Sequence, residues 1–300
     1  MITVFGSINI DQVYQVQDFP KPGETIIGKG YLEVPGGKGA NQAVAARRSG
    51  AVVRMIGCVE SSGMPNSALK YLISDDVNLD ALQKVESPTG SASIWVSDQG
   101  ENSIIVNPGA NALIKAELVA DESIANSAYL LMQMEVPVEE NLKLIERAKS
   151  LAVQTVLNLA PVGKVPESIL KSLDYLVVNE GEAEALAQMI GMEFSDHRQF
   201  LMQLSARFNL NTILTLGADG VIASYNNEVF ELPAKQIKVR DTTAAGDSFI
   251  GALFAELSFG TSFLEALAYA VNFASETCSR NGAQSSIPYK FDILSSENFS

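Results

Sequence analysis

The chain has 300 residues, 47% of them hydrophobic, enough to bury one large α/β core or two small ones and unlike a disordered composition. A formal net charge of -14 excludes a broad basic face for bulk DNA or RNA, while leaving room for a small anion held by local amides or a few lysines. One histidine, His197, removes Ser-His-Asp and Cys-His units and multi-histidine metal sites, so any general base is expected to be a carboxylate.

Met1-Ile-Thr-Val-Phe-Gly enters a strand at once, with no basic leader, and no apolar run reaches the roughly 20 residues of a membrane span. Two distant cysteines, Cys58 and Cys278, fit a reduced compartment. The expectation is a soluble cytoplasmic protein.

Apolar runs at 3–5, 52–59, 129–134, 155–159, 175–178 and 212–216 read as buried strands. Amphipathic stretches at 41–48, 67–73, 138–150, 182–190, 198–208, 247–257 and 263–280 read as helices. His197 falls in the polar first turn of one of them, as a solvated helix residue. Their alternation predicts an α/β fold, a predominantly parallel sheet with helices on both faces and ligands at the carboxyl ends of its strands. Segments 12–17, 24–34 and 91–106 break the alternation as short strand patterns with turn signals, either a small β-sheet lid or ordinary edge strands. Residues 295–300 read as a frayed polar tail.

Three segments carry chemistry. In Asp241-Thr-Thr-Ala-Ala-Gly-Asp-Ser-Phe-Ile-Gly-Ala the small residues Ala244, Ala245 and Gly246 open an apolar helix, whose unpaired first-turn amides suit phosphate oxygens. Asp247 in that turn is either a base for an attacking hydroxyl or a helix cap. Pro35-Gly-Gly-Lys-Gly-Ala-Asn-Gln-Ala lacks the Walker A spacing and its Ser or Thr. It is either a backbone surface for sugar hydroxyls, with Lys38 and Asn41 as donors, or a flexible connection. Gly6-Ser-Ile-Asn-Ile-Asp sends Asn9 and Asp11 the same way off the first strand, as diol ligands or as turn residues.

These three, with Leu131-Met-Gln-Met-Glu, Asn158-Leu-Ala-Pro, Asn179-Glu-Gly-Glu-Ala-Glu, Thr215-Leu-Gly-Ala-Asp-Gly and Gly282-Ala-Gln-Ser-Ser-Ile-Pro, occur in one order. The series resembles the ribokinase-like (PfkB-type) carbohydrate kinases, over almost the whole chain. The resemblance implies a single ribokinase-like domain, 1–300, and an ATP-dependent sugar kinase with ribose as the expected acceptor. The rivals are a kinase for fructose, deoxyribose or adenosine and a silent sugar-binding relative.

The resemblance makes Asp247 the catalytic base and Ala244, Ala245 and Gly246 an anion hole. It assigns sugar binding to Asn9, Asp11, Gly37, Lys38, Asn41 and Glu135, and the nucleotide to Asn179, Thr215, Gly217, Gly220, Ala245, Gly246 and Asn272. Asn179 and Glu182 would arrange Mg²⁺ through water. Asp241, Thr243, Thr277, Arg280, Gly282 and Ser286 match a K⁺ site, and the lid implies a homodimer.

Two departures stand out. Glu60-Ser-Ser-Gly-Met-Pro-Asn replaces the family's Gly-Asp-Asp loop, with Ser61 and Ser62 for the acids and an added Pro65. That loop has drifted with activity intact, alters which sugar is accepted, or impairs catalysis. Ala244 stands where many relatives have glycine, a small residue expected to be tolerated.

Overall fold

The computed structural model describes residues 1–62 and 67–297. Gly63, Met64, Pro65 and Asn66 of the altered loop, and 298–300 of the expected tail, lie outside the described residues. The earlier part of that tail is helical, within Lys290–Glu297.

Eight strands form the main sheet, in the order Glu228–Leu232, Val221–Tyr225, Asn211–Thr215, Tyr175–Asn179, Gln154–Asn158, Tyr129–Met132, Ile2–Phe5, Val53–Ile56. The last six are mutually parallel and the first two add antiparallel. Side chains alternate across each strand, so Ile2, Val4, Leu131, Val156, Val177 and Ile213 enter one core. Phe5, Leu130, Met132, Leu157, Leu176 and Leu214 enter the other. Both faces are therefore apolar, which is why these segments read as unbroken hydrophobic runs and why helices cover both sides.

Helices Lys38–Arg48, Ala245–Ser258 and Phe263–Cys278 cover the first core; Val138–Ser150, Glu180–Ile190 and His197–Phe208 cover the second. The expected strand at 52–59 is interrupted at Gly57, continuing as Cys58–Glu60 paired with Gln83–Val85. A glycine Cβ at 57 would stand 2.6 Å from Ile8 Cδ1, so the interruption marks a close approach.

A second sheet has the order Gly30–Gly36, Asn9–Gln15, Gly90–Val96, Asn102–Asn107. It contains the segments read as a lid, with the second strand starting at Gly30 rather than at 24. Its outer strand Asn102–Asn107 is exposed along its whole length. The chain end is tied back by Arg48, almost fully buried, which pairs with Asp75 (2.7 Å) and donates to the Gln284 and Ile287 carbonyls. Among the described residues no helix is long and apolar enough to cross a membrane.

Candidate active site

The glycine-rich segment is shaped by the backbone it lies against. Gly37 has φ +92, and a Cβ there would sit 2.8 Å from Asn9 N; one on Gly39 would sit 2.7 Å from Ser7 N. Only glycine allows that conformation and approach together. The approach puts the N-terminus of helix Lys38–Arg48 on the end of the first strand. There Glu135 Oε2 accepts from the Ser7 hydroxyl (2.5 Å) and the Lys38 amide (3.1 Å), an anion placed where first-turn amides want one. Asn9 is held as well: Asn111 Nδ2 donates to its Oδ1 at 2.7 Å.

Helix Ala245–Ser258 meets helix Lys38–Arg48 at Gly251, where a Cβ would stand 2.6 Å from Ala45 Cβ and from Gln42 O. This close crossing delivers Asp247, 7% exposed, against the other helix. Asn41 Nδ2 donates to its Oδ2 at 2.9 Å and Gln42 Nε2 to its Oδ1 at 3.0 Å. The residue capping the helix is Ala244, which offers no side-chain bond. Asp247 is therefore not the cap, and both its oxygens face across to the neighbouring helix. Ala244 has φ +61, the left-handed region that disfavours any residue with a Cβ, so the substitution for glycine carries a backbone cost.

The electrostatics follow from burial. Desolvation pushes the Asp247 carboxyl above its usual range, opposed by Lys38 and by the Asn41 and Gln42 donors. Asp11 is raised to about 7 by burial, then by Glu135 and Asp247, with Lys38 opposing. The Lys38 ammonium is held above its ordinary value, chiefly by Asp247, against its own burial. Burial also raises Glu182.

Two cavities meet at the start of helix Ala245–Ser258. One, about 300 Å³, is walled by Val221, Ile237, Val239, Phe249 and Val271, an apolar slot for a flat ring. The other, about 210 Å³, is polar, with Lys38, Asn158, Asn179, Glu182 and Asp247 on its walls. Thr215, Thr242, Ala245 and Gly246 line both. Together they form one trough, apolar at one end and polar at the other, with the start of a helix where they meet.

The family model for pfkB family carbohydrate kinases matches residues 1–290. The chain belongs to the pfkB family. A ribokinase of Haemophilus influenzae is 36% identical over 299 residues, covering 98% of this chain and 97% of that protein. The ribokinase structure of Thermotoga maritima superposes with a TM-score of 0.91 at 36% identity, covering 99% of each chain. That of Arabidopsis thaliana ribokinase complexed with ribose and ATP gives 0.91 at 28% identity, covering 100% of this chain and 99% of that one. The chain is thus a carbohydrate kinase of the pfkB type, with the fold expected of it.

Most of the residues singled out in the sequence converge. Asp11, Lys38, Asn41, Glu135 and Glu182 surround Asp247 through hydrogen bonds or charge. Thr215, Gly217 and Gly220 line the apolar cavity. Asn272 lies next to Val271 of that lining without being part of it. Asn179 and Glu182 bond each other in a reciprocal capping box, both at 2.9 Å.

Asp241 accepts from the Thr243 amide and hydroxyl and from the Gly282 amide. Those bonds hold its carboxyl below the usual range although burial works the other way. The amides of Arg240 and Asp241 donate to Cys278 O, joining that loop to the segment of Thr277 and Arg280, and Arg280 pairs with Glu276. Ser286 is buried with its hydroxyl on Ala283 O.

Sequence reasoning passed over four residues here: Gln42, Gln133, Asn111 and Thr242. Gln42 carried a signal, a long polar side chain amid the buried Ala40, Ala43, Val44 and Ala45. Asn111 carried none, because its partner Asn9 is distant in the chain. His197 starts its helix as expected, beside Phe194 and 3.4 Å from Glu180. Glu60 is exposed, its amide donating to the Thr89 hydroxyl.

Proposed function

We propose that this pfkB-family kinase is a ribokinase, transferring the γ-phosphoryl group of ATP to the 5-hydroxyl of D-ribose. The observation that carries the reading is Asp247: a buried carboxylate, aimed by two amide donors, at the helix N-terminus where the two cavities meet.

In the mechanism, ribose is held by Asn9, Asp11, the Gly37 backbone, Lys38, Asn41 and Glu135. Asp247 takes the proton of the sugar hydroxyl as its oxygen bonds to the γ-phosphorus, and the bond to the bridging oxygen breaks to leave ADP. Amides of Ala244 and Gly246, at the cap and in the first turn, meet charge on the transferring group, and Ala245 joins them by exchanging its 3.2 Å bond to Thr242 O. Raising the carboxyl by burial makes it a better proton acceptor, while Lys38 works the other way and favours its ionised form.

The carboxylate and amide oxygens of Glu182 and Asn179 on the polar cavity suit a hard divalent ion reached through water. Mg²⁺ there would neutralise phosphate charge. The loops joined by Asp241, Thr243, Gly282, Thr277 and Arg280, with Ser286 below, would hold K⁺ on backbone carbonyls and so stiffen the anion hole. The exposed Asn102–Asn107 edge, with Ile104, Ile105 and Val106 half or more exposed, supports a homodimer through the small sheet. A monomer in light scattering at assay concentration overturns that part. Two free cysteines support a cytoplasmic setting.

The test is ADP release with ATP and Mg²⁺ across ribose, deoxyribose, fructose and adenosine, with and without K⁺, for the wild type and Asp247→Asn. Ribose-dependent turnover, lowered by about 10²- to 10⁴-fold in the variant, is the expected result. Turnover on another acceptor alone shifts the assignment to that substrate and makes the Glu60 loop its determinant. Binding of ribose without turnover refutes the kinase reading.

A further inference from the structure

Behind Asp247 stands a second layer of polar side chains with no assigned role. Gln42 is fully buried on helix Lys38–Arg48, one residue beyond Asn41. Its Nε2 donates to Asp247 Oδ1 (3.0 Å) and to Asn158 Oδ1 (3.2 Å), and its Oε1 accepts from Gln133 Nε2 at 2.7 Å. Gln133 is itself fully buried, after strand Tyr129–Met132, and a Cβ on Gly6 would fall 1.9 Å from its Oε1. Its backbone carbonyl accepts from Asn141 Nδ2 at 2.8 Å.

A glutamine amide has two ends, and turned over it would present its oxygen to a carboxylate. Its surroundings remove that freedom: Asp247 Oδ1 and Asn158 Oδ1 both accept and draw the Gln42 NH₂, while Gln133 Nε2 donates to the Gln42 oxygen at the other end. We propose that Gln42 is a positioning residue for phosphoryl transfer, its amide braced by Gln133, aiming the Asp247 carboxylate at the acceptor hydroxyl. Asn41 bonds the other Asp247 oxygen from the sugar side. Gln42 and Gln133 thus fix the carboxylate from behind, whichever sugar occupies the front. The proposal rests on Asp247 being the base.

Charged groups around Asp247 are Lys38 from the same helix as Gln42, Glu135 after strand Tyr129–Met132, Asp11 from the small sheet, and Glu182 from helix Glu180–Ile190. None is altered by changing Gln42 to an apolar residue of like length. A donor to a carboxylate favours its ionised form, so its loss moves protonation of Asp247 to higher pH.

The experiment is kcat and KM for ribose against pH for wild type, Gln42→Met, Gln133→Met, the double variant and Asp247→Asn. Expected for Gln42→Met is an acidic limb of kcat moved up by about one pH unit, kcat lowered about 10-fold at its optimum, and KM within about two-fold. Gln133→Met moves the limb the same way but by less, because a buried Gln42 oxygen left without its donor loosens the amide that holds Asp247. The double variant matches Gln42→Met alone, since the two act as one unit. A limb unmoved in both single variants, or effects that add in the double variant, overturns the proposal. If Gln42→Met does not fold, Gln133→Met alone decides by its limb. Turnover surviving Asp247→Asn marks failure of the base assignment instead.

Discussion

Replacing Gly251 with alanine sets two effects against each other. In a helix interior alanine is favoured over glycine by about 1 kcal/mol, so an uncrowded site would gain stability. Gly251 is not uncrowded: the new methyl would stand 2.6 Å from Ala45 Cβ, 2.6 Å from Gln42 O and 2.7 Å from Ala46 N. Comfortable carbon contacts lie at about 3.5–4.0 Å, leaving a deficit of about 1 Å. Two of the three neighbours are backbone atoms, so no rotamer change relieves it and the helices must separate. Such overpacking costs about 1–3 kcal/mol, which offsets or outweighs the propensity gain and leaves a net loss of about 0–2 kcal/mol.

For a chain of 300 residues the loss corresponds to a melting temperature lower by up to about 3 °C. The same separation lengthens the bonds that Asn41 and Gln42 make to Asp247, now 2.9 and 3.0 Å. Because a misplacement of about 1 Å can cost on the order of 10²-fold in rate, kcat should fall by 10- to 100-fold. Differential scanning fluorimetry and an ADP-coupled assay with ribose read both effects. A raised melting temperature with kcat intact would refute the claim that this crossing sets the site.

Ala244→Gly relieves the left-handed strain at φ +61; urea unfolding should show a gain of about 0.5–1 kcal/mol, with turnover retained. Asp11→Asn tests the carboxylate raised to about 7. Because its folded pKa lies above the unfolded one, its share of stability is fully present below about pH 4 and declines as pH rises through 7. The unliganded variant should therefore be more stable than wild type at pH 8, by roughly 1–3 kcal/mol, and lose that advantage towards pH 4. Its ribose KM should rise. An unchanged pH–stability profile would show that the cluster is not holding Asp11 up.

The parallel strands were legible because each is buried on both faces, leaving a bare apolar run such as Tyr129–Met132. The antiparallel pair Val221–Tyr225 and Glu228–Leu232 escaped notice, since its outer strand mixes Glu228 and Glu231 with apolar residues. A local sign existed: Asn226 and Asn227, with φ +50 and +66, form the turn between them, a pairing typical of tight hairpins. In the small sheet, Asn9–Gln15 pairs in parallel with Gly90–Val96, a partner that no local pattern names.

The site was legible as motifs and not as contacts. Whether Asp247 caps or catalyses could not be decided from a turn of seven residues, because both roles use an aspartate at a helix start. The cap falling at Ala244, and the Asp247 oxygens being taken by Asn41 and Gln42, distant in sequence, decide against the capping role. Gln42 lay inside a quoted motif but acquires meaning only once Gln133 and Asp247 are seen on either side of it.

The Arg48 clamp gives the molecule an order of assembly. Helix Lys38–Arg48 leaves the ribosome well before the segments that complete it, helix Ala245–Ser258 that covers it and the carbonyls of Gln284 and Ile287 that tie its end. Until about 210 further residues are synthesised, its face at Gln42 and Ala45 lacks the helix that covers it. A nascent chain of this kind spends most of its synthesis with sticky surface exposed and no phosphoryl-transfer site. Truncations that remove the last turns should then yield aggregation rather than a weakened enzyme.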